Sequence, residues 1–165
     1  MISYTQKNDT AAKLAVALYY KLREMGYNVW LDVQADDKSE AAMKKNVEGA
    51  KFVIAIISDG AGVEGCAYFE RPFCVKELRW AIEASKPIQP VVRAEDKMNI
   101  GTLLMDAPED LRHLGGIDFI DVDPRGGYFA QKAMAAGGSL EAGSLLSSSS
   151  SIAWRWRTAA STSSA

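Results

Sequence analysis

The sequence predicts an α/β domain: a five-stranded parallel sheet with helices on both faces. Three observations carry this. Phe52-Val53-Ile54-Ala55-Ile56-Ile57 is a nearly unbroken apolar run, the pattern of a central strand buried on both sides. Around it, short apolar or β-branched stretches alternate with segments whose apolar residues recur at helical spacing. Such alternation reads as βαβ units with right-handed crossovers.

In chain order, Met1 to Tyr4 reads as a short first strand. Asp9 or Thr10 is placed to cap a helix whose apolar positions Ala11, Leu14, Ala15, Leu18, Leu22 and Met25 keep the helical period, with Gly26 closing it. Tyr27 to Leu31, aromatic and β-branched, reads as the second strand. A polar loop from Asp32 to Lys38 follows, and Ser39 caps a helix that turns Ala42, Met43, Val47 and Ala50 inward. After the third strand at 52–57, a glycine-bearing loop leads to a helix at 72–84. Pro87 to Val92 is the fourth strand, and Pro90 requires either an edge or an unpaired N–H position there. Residues 93–107 read as a long polar connection, Pro108 to Leu114 as a short helix, and Ile117 to Val122 as the fifth strand. From Ala130 the composition turns to Gly, Ser, Thr and Ala, which cannot offset the entropy of ordering. Residues 1–136 are therefore taken as the domain and 137–165 as a low-complexity tail. Within that tail, Trp154-Arg155-Trp156-Arg157 is too small a signal for a membrane or nucleic-acid anchor.

Composition removes several function classes. The 165 residues fit one domain with a full core. A formal net charge of −2 leaves no basic footprint for nucleic acid. No apolar run reaches the length of a membrane span, and Met1 to Lys7 lacks the order of a secretory signal. Cys66 and Cys74 are the only cysteines, which suits a reducing, cytoplasmic setting and offers no zinc site. His113 is the sole histidine, in a polar segment beside Arg112, a poor place for the base of a Ser-His-Asp or Cys-His mechanism.

The helix at 72–84 carries the strongest chemical signal. Pro72 suits its first turn. Cys74, Val75, Leu78, Ala81 and Ile82 gather on one face, and Lys76, Arg79 and Glu83 on the other. Glu77 falls on the seam, with Phe73 one turn back and Trp80 and Ala81 one turn on, and no cation at helical spacing. Two readings stand on the helix alone. A carboxylate edged by apolar groups loses solvation, which raises its pKa and suits it to chemistry. A rim glutamate in water, or paired with a distant Lys or Arg, is the plainer alternative.

Gly60-Ala61-Gly62-Val63-Glu64-Gly65 matches G-x-G-x-x-G after a predicted strand. A dinucleotide fingerprint also needs a helix opening at the third glycine and an acidic residue ending the next strand. Here Cys66 to Pro72 intervenes, and the next strand ends in Val91-Val92-Arg93. A flexible loop is the reading adopted.

Five stretches, in order, share one pattern: Ile2-Ser3-Tyr4, Val29-Trp30-Leu31-Asp32, Phe52 to Ser58, Phe73-Cys74-Val75-Lys76-Glu77-Leu78, and Pro87-Ile88-Gln89-Pro90-Val91. Together they resemble the strand and helix motifs of the Toll/interleukin-receptor (TIR) domain family over residues 1 to about 122. The resemblance implies a flavodoxin-like three-layer sandwich with strand order 2-1-3-4-5. In such sheets ligands sit beyond the carboxyl ends of the strands, at the switch point. Many TIR domains cleave NAD⁺ to nicotinamide and ADP-ribose or its cyclic form, and the resemblance makes Glu77 the catalytic glutamate. It likewise implies a substrate-binding set of Tyr4, Thr5, Asp32, Ser58 and Phe73, with NAD⁺ as substrate, no cofactor, and other TIR domains as partners. Thr5 and Phe73 depart from the pattern, since catalytic relatives often carry Arg and Trp there. The resemblance also admits a second function, a non-catalytic adaptor working through TIR–TIR contacts.

The implied chemistry is sound. Cleaving an N-glycosidic bond develops positive charge on the ribose, which a nearby carboxylate stabilises. Nicotinamide leaves as a neutral molecule, so one glutamate suffices where glycosidases use two.

Overall fold

The structure is a computed structural model that describes residues 1–138, apart from 35, 36 and 38. Residues 139–165, with the Trp-Arg cluster, lie outside the described residues, as does part of the loop from Asp32 to Lys38, while the first two residues of the expected tail end α5. Four strands form one parallel sheet: β1 (Ile2–Ser3), β2 (Val53–Ile56), β3 (Ile88–Arg93) and β4 (Ile120–Val122), in that spatial order. Between them run α1 (Asp9–Glu24), α2 (Glu40–Gly49), α3 (Pro72–Glu83), α4 (Ile100–Met105) and finally α5 (Phe129–Gly138).

Strand alternation divides the core. Met1, Val53, Ala55, Ile57 and Val92 face α3 and the 3₁₀ turn at Glu109–Gly116, packing on Leu78, Ala81 and Leu111. Ile2, Tyr4, Ile54, Ile56 and Val91 face the other way, onto Leu14, Leu18 and Leu22 of α1 and Ala133 of α5. Helices thus cover both faces, as the unbroken apolar run at 52–57 requires.

Several expectations need correcting. Tyr27 to Leu31 is not a strand: it runs beside β1 but is joined to it by one backbone bond, Ile2 N–H to Trp30 O at 3.1 Å. One bond to a two-residue strand is too little to make a second ladder beside the one β1 forms with β2. The connection at 93–107 is not irregular but folds into a 3₁₀ turn at Ala94–Asn99 and then α4. The segment after Pro108 is 3₁₀ rather than α-helical. Asn8 caps α1, not Asp9 or Thr10, its side-chain oxygen accepting from the N–H groups of Thr10 and Ala11. Ser39 caps α2 as expected, its hydroxyl accepting from Ala42 N–H.

Pro90 lies inside the sheet, paired with Ala55 of β2. The register with β4 turns its missing N–H toward the β4 side, just before the first bridge, Val91 to Ile120. The Gln89 side-chain amide donates instead to Asp118 O, at 2.9 Å. A side chain thus replaces the absent ladder donor, and no edge position is needed.

Both long helices end in the same hydrogen-bonded cap. In α1, Gly26 at φ 89° donates to Arg23 O and Tyr27 to Leu22 O. In α3, Ser85 takes the equivalent left-handed place at φ 52°, donating to Ile82 O, while Lys86 donates to Ala81 O. A serine there carries a steric cost that glycine avoids. Ser85→Gly is expected to stabilise the domain by about 1 kcal/mol, read from the urea midpoint at constant slope; a loss of stability would contradict the assignment of this cap.

Candidate functional site

Glu77 is the centre of the site. It lies on α3, whose N-terminal turn needs no side-chain cap because Pro72 occupies it. The buried arc of α3 comprises Cys74, Val75, Glu77, Leu78, Trp80 and Ala81, while Ile82 is 41% exposed. The helix is therefore rotated toward Glu77 relative to the face its apolar residues suggest, and a carboxylate is turned into the core. Glu77 is 7% exposed, which removes the rim reading.

Its partner is a hydroxyl. Ser3, the last residue of β1, donates to Glu77 Oε2 at 2.5 Å, and Ser3 Oγ lies 2.6 Å from the Tyr68 hydroxyl. Alternation along β1 sends Ile2 and Tyr4 toward α1 and leaves Ser3 facing α3. Tyr68 is fully buried, stacked edge-on against Phe69 and tied by its N–H to Ser58 O at 2.9 Å. Burial pushes the Glu77 carboxyl up to about 8; the Ser3 hydrogen bond opposes this, nearby Asp32 adds to it, and the Met1 ammonium works against it.

The other expected residues are distributed around this centre. Tyr4 is buried, and its hydroxyl is pushed well up by burial and then by the Asp32 carboxylate, which also accepts its hydrogen bond. Asp32 opens a 3₁₀ turn, accepts from Val33 N–H at 2.7 Å and is bonded by the Gln6 side-chain amide. Tyr4, Asp32 and Glu77 thus share one electrostatic neighbourhood. Cys74, a free thiol on the same helix, donates to Tyr4 O at 3.4 Å and is held protonated by burial and then by Glu77.

Thr5 and Ser58 are buried just past the ends of β1 and β2, and neither hydroxyl has a hydrogen-bond partner. Buried hydroxyls left unpaired cost stability, so each is a polar group still short of a partner. Phe73 stands one turn from Glu77, 40% exposed, with the Lys76 ammonium 5.2 Å from its ring centre. No hydrogen bond ties Thr5, Ser58 or Phe73 to Glu77, so the structure brings Tyr4 and Asp32 to the carboxylate's field and leaves these three at its margin. Sequence reasoning missed Ser3 and Tyr68. A lone hydroxyl facing inward from a strand is the only signal that marks Ser3.

The glycine loop makes turns. A Cβ at Gly60 would stand 2.7 Å from Val63 O, and no helix begins before Pro72. A cavity of about 1070 Å³ lies at the opposite end of the sheet, between Met1, Tyr27, Trp30, Asn46, Phe52 and Pro87. Among the described residues no group of His, Cys, Asp and Glu is placed to hold a metal ion, and no helix is long and apolar enough to cross a membrane.

A family model for the TIR domain matches residues 1–131. The chain belongs to the TIR domain family. No curated protein matches it. For this TIR domain, the parallel sheet and the helices on both faces agree with the family assignment, which implies a signalling module.

The raised carboxyl has a thermodynamic consequence. Folded Glu77 keeps its proton to about pH 8, whereas the unfolded chain releases it near 4.5. The folded state binds the extra proton, so stability is full below 4.5 and declines as pH rises toward 8. The Met1 ammonium, lowered by burial from 8.0 to about 6, acts in the opposite sense between those values. Subtracting Glu77→Gln from wild type isolates the glutamate. The stability difference is expected to fall across this window by up to about 1.4 kcal/mol per pH unit, measured by urea unfolding over a pH series. A difference independent of pH would show that Glu77 titrates normally.

Proposed function

We propose that this TIR domain is an intracellular signalling module that hydrolyses NAD⁺ to nicotinamide and ADP-ribose, or its cyclic form, when self-associated. The observation that carries the reading is the buried Glu77 carboxyl beside the last residue of β1, where this class of sheet receives ligands. The bond between ribose C1′ and the pyridinium nitrogen breaks, and its electron pair leaves with neutral nicotinamide. Water adds to the ribosyl cation and releases one proton. Ionised Glu77 stabilises the cation or holds the ribose hydroxyls, and the free Thr5 and Ser58 hydroxyls receive polar groups of the substrate. Phe73 offers an exposed ring to the pyridine.

Burial bears on regulation too. A carboxyl that is 7% exposed must be uncovered before it meets substrate, and contact with a second TIR domain is the event proposed. Asp32, at the start of the loop to Lys38, already acts on Glu77 within one chain. The rival reading, a non-catalytic adaptor, draws on the Ser3 hydrogen bond, which gives Glu77 a structural task.

Nicotinamide release from NAD⁺ decides between them. Specific activity is expected to rise with protein concentration, and kcat/KM to climb about tenfold per pH unit below about 8, the free carboxyl's value, before levelling. Glu77→Ala should abolish release, while exposed Glu83→Ala on the same helix should not. No release at high concentration would leave the adaptor reading. Release that survives Glu77→Ala would assign the chemistry to another group.

A further inference from the structure

We propose that Ser3 and Tyr68 are positioning residues for Glu77: their hydroxyls form a buried chain that fixes the carboxyl against β1 and favours its charged form. The inference deepens the reading of Glu77 as the working carboxylate and rests on it for its functional meaning.

The proton order follows once Glu77 is charged. Ser3 has one proton, and the negative carboxylate takes it at Oε2, 2.5 Å away. Ser3 Oγ must then accept at its other contact, so the Tyr68 hydroxyl, 2.6 Å away, donates. The chain runs from Tyr68 to Ser3 to Glu77, and each proton has an acceptor when Glu77 is negative. If Glu77 gains a proton and gives it to Ser3, both bonds reverse, and the Tyr68 proton loses Ser3 as its acceptor. The charged carboxylate is the form this chain satisfies, against the general pressure of burial toward the neutral one.

The chain also spans the parts that must agree for a site to exist. Ser3 ends β1, Glu77 belongs to α3, and Tyr68 is pinned to Ser58 just beyond β2 while its own carbonyl accepts from Arg71 N–H at the start of α3. The other titratable groups acting on this cluster are Asp32 from the turn after 27–31, the Met1 ammonium, the Tyr4 hydroxyl and the Cys74 thiol, with Arg71 acting on Cys74. None of these hydrogen-bonds the carboxyl. Ser3 alone does, which makes its hydroxyl the lever.

The test reads Glu77 directly, without NAD⁺. Protein labelled with ¹³C at the glutamate side-chain carboxyl is titrated by NMR, with the Glu77 signal assigned from its loss in Glu77→Gln. Ser3→Ala is expected to raise the Glu77 midpoint by about one pH unit, the scale of a hydrogen bond to a charged group. Ser3→Thr, which restores a hydroxyl on a β-branched residue suited to a strand, should return it. Tyr68→Phe removes one oxygen with little change of shape and should shift the midpoint in the same direction by less, which keeps the test decisive if Ser3→Ala fails to fold. Where NAD⁺ is cleaved, the acid limb of kcat/KM should move with the NMR midpoint. A Glu77 midpoint unmoved by both Ser3→Ala and Tyr68→Phe in folded protein overturns the proposal, whatever the activity. Shifted midpoints without any NAD⁺ cleavage would uphold the chain and refute only the hydrolase reading.

Discussion

The hydrogen bond from Ser3 to Glu77 joins the shortest strand of the sheet to the buried carboxyl of α3. β1 has two residues, and its backbone reaches one neighbour, β2, by a ladder and the 27–31 segment by a single bond. A strand so brief gains little from pairing, and its place depends on what its side chains find. Ile2 and Tyr4 find the α1 core on one side. Ser3 finds a carboxyl and a phenol on the other, and through them the end of β2 and the body of α3. Burying a carboxyl costs free energy unless it is hydrogen-bonded. The cost here is offset by a hydroxyl, not a cation, so the buried carboxyl keeps its proton to about pH 8.

Much of the architecture was legible because it rests on periodicity. The apolar run at 52–57, the helical spacing in α1 and the inward stripe of α2 each follow from local pattern. What failed was decided by partners outside the pattern. Tyr27 to Leu31 has the composition of a strand, yet strand formation needs repeated pairing, and the two-residue β1 meets it at one backbone bond. Pro90 left open an edge or an unpaired N–H position, and the second holds, with the side-chain amide of neighbouring Gln89 supplying a donor to Asp118 O. Residues 93–107 read only as a long polar connection because their short helices turn few groups inward, Leu103 and Asp96 among them.

The site divides in the same way. Glu77 was legible as a carboxylate without a cation at helical spacing, and burial confirms the desolvated reading. Its orientation was not: counting apolar residues put Ile82 inside and Glu77 on the seam, whereas the helix turns Trp80 and Glu77 in and Ile82 out. A helical wheel weighs side chains by polarity and cannot weigh a hydroxyl waiting on another element. For the same reason Ser3 and Tyr68, 65 residues apart in the chain, passed unnoticed. Thr5 and Ser58 came from family likeness alone, and the structure buries both hydroxyls without a hydrogen-bond partner.

The sheet has two ends that could receive a ligand, and they differ in chemistry. The carboxyl end offers Glu77, two unpaired hydroxyls and an exposed aromatic ring; the amino end offers a cavity lined by Tyr27, Trp30 and Phe52 together with Asn28, Lys45 and Asn46. The claim that the carboxyl end is the working one is tested most directly by binding without turnover. Titrating ¹⁵N-labelled domain with a non-cleavable carbocyclic analogue of NAD⁺ and following the backbone amides by NMR would locate the ligand. The account expects the shifts to gather at Thr5, Ser58, Phe73 and Glu77; shifts gathered at Tyr27–Trp30 and Asn46–Phe52 would contradict it.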